Sequence, residues 1–256
     1  MGDQAMEILM LFVAGVIGGA MNSLAGGGSF VTFPALLLAG VPPVAANATN
    51  TFASLPGYIS GAIAFWPAIS RHRSRLIGYA LMAVLGGWLG AELLLTQSDA
   101  QFERVVPWLM LIAVLLFVFG GRLNAMLRTH AGGFGRLGLV LAAALLFAVC
   151  VYGGFFNAGL GILLLAVFAL NGLSDLSAMN GLKLCVSSLV ALVAIVRFGL
   201  GDTIAWFQGG AAFAGTLIGG YVAARLAHLI PVAVLRIGII LLGVFLTVIF
   251  FFKAYA

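Results

Sequence analysis

The chain has 256 residues, of which 63% are hydrophobic and 7% are charged. A soluble core does not need so much apolar surface, so the composition excludes a soluble globular protein and indicates a polytopic membrane protein. Twelve Lys and Arg residues give a formal net charge of +5. They are too few for a nucleic-acid-binding face, and we expect their positions to report membrane topology instead.

Two further features of the composition limit the function. The two cysteines lie in apolar runs without CxxC spacing, so neither a metal site nor a disulfide framework is expected. The N-terminal segment MGDQAMEILM carries Asp3 and Glu7, where a cleavable signal peptide would carry Lys or Arg. We therefore expect the first helix to be retained, with its acidic end outside.

Ten apolar runs follow one another along the chain, at residues 6–23, 29–40, 44–67, 76–95, 104–121, 137–157, 160–170, 175–198, 203–224 and 232–252. Eight of them have a length near the roughly 20 residues that a helix needs to cross about 30 Å of hydrocarbon. The runs 29–40 and 160–170 reach only about 15–18 Å, roughly half of the bilayer. The sequence therefore predicts an all-α membrane protein of five plus five segments, in which the second of each five is a half-helix.

The two short runs occupy equivalent places in two similar halves of the chain. GGAMNSLAGGGSF (18–30) parallels GGFFNAGLGIL (153–163), NATNTFAS (47–54) parallels NGLKLCVS (180–187), and GGWLGAEL (86–93) parallels GGYVAARL (219–226). The spacing stays between 133 and 135 residues. We predict two transmembrane repeats, residues 1–125 and 126–256, that together form one transport domain. Because five is an odd number, the second repeat is expected to insert upside down relative to the first.

The basic residues predict the orientation in the membrane. With the N-terminus outside, the cytoplasmic loops hold eight of them: Arg71, Arg73, Arg75, Arg122, Arg128, Arg136, Arg225 and Arg236. The outer side holds Arg104, Arg197 and Lys253. This bias follows the positive-inside rule and places both termini in the periplasm. Inverted repeats with short, glycine-interrupted helices are typical of secondary transporters, whose sites lie near the membrane midplane.

The glycine turns before the two short runs predict an interior binding site. Backbone N–H and C=O groups cannot be left open to lipid, so a turn at Gly26–Gly28 implies a site inside the protein. We expect Ser29 to cap the short helix that follows. The unpaired N–H groups and the positive dipole end of that helix attract an anion. The segment Gly159–Gly161 repeats the arrangement without a serine cap.

Lys183 is the only Lys or Arg that lies well inside a predicted span. A charge at that depth is costly and indicates a functional site. Its counterpart in the first repeat is Asn50, so the segments NATN and NGLK are expected to face a shared centre. No Asp or Glu lies deep in a predicted span. An unpaired cation among hydrogen-bond donors suits an anion, not Na⁺ or a metal cation.

The substrate-binding residues that we predict surround this centre. They are Asn22, Gly26, Gly27, Gly28, Ser29, Asn47, Thr49, Asn50, Asn157, Gly159, Gly161, Asn180 and Lys183. No catalytic residue, cofactor or metal ligand is predicted, because an intramembrane enzyme would need a nucleophile with a base, or metal ligands, at membrane depth. The chain has no HExxH motif and no buried Asp pair.

In these segments the chain resembles the TauE/SafE sulfite exporter family. The resemblance rests on NSLAGGGSFVTFPALLLAG and NAGLGILLLAVFAL, on ANATNT and AMNGLK, and on the two-copy layout. It covers most of the chain, from Ala14 to the last helix, although Leu160 interrupts the glycines of the second copy. The resemblance implies a carrier of the bacterial inner membrane for sulfite, thiosulfate or organosulfonates, often an exporter.

Several alternatives remain open at this point. An anion channel, or a carrier for another small carboxylate or oxyanion, would use the same features. Without a buried carboxylate as proton carrier, an inside-negative potential favours anion exit by about 2.3 kcal/mol per charge per 100 mV. The expected partners are a small anion and membrane lipid, and no nucleic acid. The glycine-rich helices 76–95 and 203–224 could pack within one chain or between two chains, which leaves a homodimer open.

Overall fold

The computed structural model describes residues 2–24, 27–130, 135–225 and 232–255, and every regular element in these ranges is a helix. Along this part of the chain they are α1 (Gly2–Leu24), α2 (Ser29–Leu38), α3 (Pro43–Ala64), α4 (Trp66–Ile69), a 3₁₀ turn (Ser70–His72), α5 (Arg73–Leu95), α6 (Asp99–His130), α7 (Gly135–Phe155), α8 (Leu160–Leu170), α9 (Leu176–Leu200), α10 (Trp206–Arg225) and α11 (Val232–Tyr255). The predicted all-α class is confirmed.

The predicted half-helices are short in the structure as well. Helices α2 and α8 contain 10 and 11 residues. Two other boundaries differ from the apolar runs. The run 44–67 is divided, because Pro67 lacks an N–H group and the ladder of α3 cannot continue through it. Helix α6 extends beyond the apolar run 104–121 and ends at His130, after several polar residues.

Five helical segments in the described part of the chain are long and apolar enough to cross a membrane. They are Gln4–Ser23, Trp66–Leu95, Asp99–Gly120, Leu176–Leu200 and Ile237–Tyr255. Helix α3 has 22 residues, a sufficient length, but it buries several polar side chains: Asn47, Thr49, Asn50, Thr51 and Ser54. The chain is therefore a multi-pass membrane protein that also contains a polar interior helix.

Glycines bring two helix pairs into close contact. A Cβ on Gly219 of α10 would overlap the carbonyl oxygen of Val16 in α1. A Cβ on Gly90 of α5 would likewise overlap the carbonyl oxygen of Val151 in α7. Small residues allow such close backbone approach between membrane helices. The glycine-rich faces of α5 and α10 therefore pack within the chain, and each pair joins a helix of the first half to one of the second.

The two short helices end at opposite ends of the bundle. The loop after α2, residues 39–42, shares a groove with the loop that follows α9. In that second loop, Gly201 lies beside Leu95, the last residue of α5. At the other end of α5, Arg75 donates from Nη1 to the carbonyl oxygen of Asn171, just after α8, at 3.2 Å. Helices α2 and α8 therefore run outward in opposite directions, and their N-terminal ends lie towards the interior.

Two substitutions in α10 test the close packing of α1 against α10. Gly219→Ala inserts a methyl group where there is no space, so it should destabilise the protein by about 1–3 kcal/mol. Gly210→Ala is the matched control, because an added Cβ there meets nothing within 4 Å. The control should be neutral or stabilise by about 0.5–1 kcal/mol. Thermal unfolding in detergent measures both, and equal melting temperatures for the two variants would contradict the packing.

Candidate functional site

A cavity of about 60 Å³ lies between the N-terminal ends of α2 and α8. At about 15 Å³ per enclosed water on the same measure, it has room for roughly four waters or one small ion. Its walls come from the two turns, from the starts of α2 and α8, and from helices α1, α3, α6 and α9. The lining residues are Asn22, Gly27, Ser29, Tyr58, Phe117, Asn157, Ala158, Gly159, Gly161, Ile162, Leu165, Lys183, Leu184 and Ser187.

The first turn depends on glycine. Gly27 has φ +91°, a conformation that side-chain-bearing residues rarely adopt, and an added Cβ would lie 2.6 Å from the ring of Phe117. Gly28 follows as the N-cap of α2 and packs against α1 at Gly18. Gly26 lies outside the described residues. The turn therefore brings the start of α2 to the cavity wall.

The prediction that Ser29 caps α2 is wrong. Gly28 occupies the N-cap position, and no side chain caps it. Ser29 is already the first helical residue, so its side chain turns towards α3 and accepts a hydrogen bond from Asn50 Nδ2 at 3.1 Å. The oxygen of Asn50 accepts from Thr32 Oγ1. Asn50 thus fixes the first turn of α2 from behind, and it does not line the cavity.

The second turn also has a glycine with positive φ, but here it is the N-cap itself, and its neighbour is different. Gly159 has φ +82° and is the N-cap of α8. Two residues later, an added Cβ on Gly161 would lie 3.0 Å from Cδ of Lys183. The N–H group of Gly161 has no acceptor among the described residues. Lys183 therefore lies against the open N-terminus of α8, at the position where its counterpart Asn50 meets α2.

Lys183 is a cation without an anionic partner in the described part of the chain. Its Nζ donates to Asn180 Oδ1 at 3.2 Å. The ion pairs between described residues are elsewhere: Arg197 with Glu92, and Lys253 with Glu103. An ammonium group and the positive ends of two helices therefore act on the same small cavity.

Asn157 and Tyr58 form a buried pair at the cavity. The hydroxyl of Tyr58 donates to Asn157 Oδ1 at 3.0 Å. The other polar atom of this amide, Asn157 Nδ2, is buried without a hydrogen-bond partner, and the residue is only 3% exposed. Buried polar atoms in native proteins are almost always hydrogen-bonded, so an unpaired donor in a cavity wall indicates a missing acceptor.

Tyr58 was not among the predicted site residues. A signal for it exists in the sequence, because Asn50, Ser54 and Tyr58 are spaced four residues apart and share one face of α3. The predicted set contains Asn50 but does not follow that face of α3 as far as Tyr58, two turns later. Phe117 was also missed, and it has no such signal, since it is one of many aromatic residues in the apolar helix α6.

The structure brings together seven of the predicted residues at the cavity: Asn22, Gly27, Ser29, Asn157, Gly159, Gly161 and Lys183. Others lie outside its walls. Asn47 Nδ2 donates to the carbonyl oxygen of Phe155 at 2.7 Å, and Thr49 Oγ1 accepts from the N–H of Ala205 at 3.0 Å. These two side chains connect α3 to the second half of the chain, and Asn180 reaches the site only through Lys183.

Comparison with known proteins agrees with this architecture. The model of the sulfite exporter TauE/SafE family matches residues 11–250. The chain belongs to this family. A probable membrane transporter protein of Haemophilus influenzae is 29% identical over 226 residues, which cover 88% of this chain and 87% of that relative. The probable membrane transporter protein YfcA of Escherichia coli strain K12 is 30% identical over 223 residues, which cover 85% and 79%.

A third relative matches only part of the chain. The probable membrane transporter protein ORF9 of a Sinorhizobium species is 34% identical over 118 residues, 46% of this chain and 45% of that relative. No solved structure gives a significant match. The family and the helices together show a TauE/SafE membrane transporter.

Removing the Asn50 side chain tests its structural role. Asn50→Ala leaves the buried hydroxyl of Ser29 without this donor and takes Asn50 Oδ1 away from Thr32, whose hydroxyl keeps the carbonyl oxygen of Gly28 at 3.2 Å. The change should destabilise the protein by about 1–3 kcal/mol. Ser60→Ala is the matched control on the same helix, since that serine is exposed, and it should change stability by less than about 0.5 kcal/mol. Thermal unfolding measures both. A fully stable Asn50→Ala protein would show that α2 does not need this contact.

Proposed function

We propose that this protein is a secondary transporter that exports small sulfur-containing anions, such as sulfite, thiosulfate or organosulfonates, across the bacterial inner membrane. The observation that carries the proposal is Lys183, a cation without a carboxylate partner among the described residues, in a cavity at the N-termini of α2 and α8. Membership of the sulfite exporter TauE/SafE family supports the choice of substrate class.

The electrostatics of the cavity favour an anion. A charge in the interior of a membrane protein is costly unless it is compensated. A bound anion would compensate Lys183, whose described polar contact is with the neutral amide of Asn180. The open N–H of Gly161 and the unpaired Asn157 Nδ2 would supply further hydrogen bonds. The volume of about 60 Å³ suits a small oxyanion better than a larger solute.

We further propose that residues 1–125 and 126–256 are inverted repeats of one transport domain. The opposite directions of α2 and α8 support this arrangement. So do the helix pairs α1 with α10 and α5 with α7, because each joins the first helix of one half to the third long helix of the other. Movement of one bundle against the other around the cavity would then open it alternately to the two sides.

The charges at the two ends of the bundle support an orientation with both termini in the periplasm. The end that holds the start of α1 is acidic, with Glu7 hydrogen-bonded to Gln208 and with Asp99 hydrogen-bonded to the N–H of Val44. The opposite end holds Arg71, Arg73 and Arg75. Basic residues accumulate on the cytoplasmic side of membrane proteins. An inside-negative potential then drives a bound anion outward.

Substitution of Lys183 tests the site directly. Lys183→Ala removes the charge, so the affinity for thiosulfate should fall by about 10- to 100-fold, the loss of one charge-assisted hydrogen bond. Uptake of labelled thiosulfate by proteoliposomes should fall with it. Thermal stability without ligand should stay equal or rise, because an uncompensated charge leaves the interior of the bundle.

Lys253→Ala is the matched control. Lys253 is exposed and pairs with Glu103 at 2.7 Å, so its loss should leave transport unchanged. Normal flux through a folded Lys183→Ala protein would contradict the proposed site. Unitary currents from the reconstituted wild-type protein would show that it is an anion channel and not a carrier.

A further inference from the structure

The acceptor atoms on the cavity wall are largely in use. Asn157 Oδ1 accepts from the hydroxyl of Tyr58. The carbonyl oxygen of Ala158 accepts from the hydroxyl of Tyr152 at 2.7 Å. The carbonyl oxygen of Gly159 accepts from two backbone amides of α8. Each of these oxygens already accepts at least one hydrogen bond, and the Gly159 carbonyl uses both of its lone pairs.

The donors on the same wall are open. Asn157 Nδ2 is buried without a partner, and the N–H of Gly161 has no acceptor in the described ranges. Lys183 uses one of its three N–H groups on Asn180. Ser29 Oγ accepts from a neighbouring amide, which leaves its own hydrogen to be donated. A ligand in the cavity is thus surrounded by hydrogen-bond donors on several sides.

Because the wall presents several open donors while its acceptors near Asn157 already hold hydrogen bonds, we infer that the cavity binds anions whose oxygens are all acceptors more tightly than anions that retain a hydroxyl proton. Sulfonates and fully deprotonated sulfur oxyanions belong to the first class, and hydrogenphosphate belongs to the second. This inference rests on the proposed function and narrows its substrate class. Asn157 is the specificity-determining residue, and Tyr58 is a positioning residue that holds the amide with its NH₂ group towards the ligand.

The physical basis is the cost of an unmatched hydrogen bond. A ligand hydroxyl that points at a donor leaves both groups without a partner in a space that holds only a few waters, which costs about 1–3 kcal/mol. Asn22 and Ser187 also line the cavity, and each carries a hydrogen that it can donate. The amide oxygen of Asn22 and the hydroxyl oxygen of Ser187 can also accept, so they offer the remaining places for a ligand proton.

Methanesulfonate and methylphosphonate provide a matched pair of probes for the full-length purified protein. Below the second pKa of the phosphonate, both are tetrahedral monoanions, and they differ by one hydroxyl proton. Calorimetric titration in that range should show methanesulfonate binding about 10- to 100-fold more tightly. Above that pKa the phosphonate loses its proton, and the ratio of affinities should fall. Lys183 and Tyr58 are the titratable side chains on the described wall, and methanesulfonate measured at both pH values controls for their titration.

Three variants assign the selectivity to Asn157. Asn157→Asp replaces the donor by an acceptor, so the ratio of the two affinities should fall at least about 10-fold even though both anions bind more weakly. Tyr58→Phe frees the amide to turn, and the ratio should fall while the protein stays folded. Asn171→Asp makes the same chemical change in the loop at the far end of α8 and should leave the ratio unchanged.

The outcomes separate the two proposals. A high ratio that falls in Asn157→Asp and Tyr58→Phe, and persists in Asn171→Asp, supports the inference. Equal binding of the two probes by the wild-type protein overturns the selectivity and leaves the anion carrier standing, as does a ratio that neither Asn157→Asp nor Tyr58→Phe changes. A folded protein that binds neither probe, nor thiosulfate, overturns the inference together with the proposed site.

Discussion

The rest of the structure depends on one constraint, that backbone polar groups inside a bilayer need partners within the protein. Two helices of this chain begin in the interior, at Gly28 and Gly159, and their first N–H groups cannot be left to lipid. The protein therefore surrounds both starts with other helices and places polar side chains beside them. The polar character of α3 follows from this requirement, since Asn50 contacts the first of these helix starts and Tyr58 contacts the turn before the second.

The two helix starts have different polar neighbours. At α2 the neighbouring position is Asn50, which bonds to the hydroxyls of Ser29 and Thr32 and so fixes side chains of the first turn. At α8 the equivalent position is Lys183, which bonds to Asn180 within α9, and in the described part of the chain the N–H of Gly161 has no acceptor. The first start is therefore mainly structural, whereas the second has unused donors and a charge. An anion that enters the cavity gains most of its contacts from the second half of the chain.

The sequence predicts much of this arrangement because its main signals are local. The lengths of apolar runs identify the spans and the two short helices, and glycine before each short run identifies the breaks. Contacts between side chains are harder to predict from the sequence. The occupation of both polar atoms of Asn50 depends on the distance between α2 and α3. Thr49 accepts from the N–H of Ala205 and Asn47 donates to the carbonyl oxygen of Phe155, and both contacts depend on where the second half packs. The failed cap at Ser29 has a similar origin, because a shift of one residue in the helix start moves the hydroxyl from the cap to the helix face.

The presence of lysine in only one half is consistent with transport rather than storage of an anion. A lysine in place of Asn50 would bury a second cation behind α2, where an uncompensated charge is costly. One lysine at the cavity also keeps its attraction for an anion moderate, and a transport site must bind weakly enough for the ligand to leave. With Asn50 in place of a second lysine, one charge attracts the anion and neutral donors orient it. The difference between Asn50 and Lys183 would thus allow the site to bind an anion and still release it.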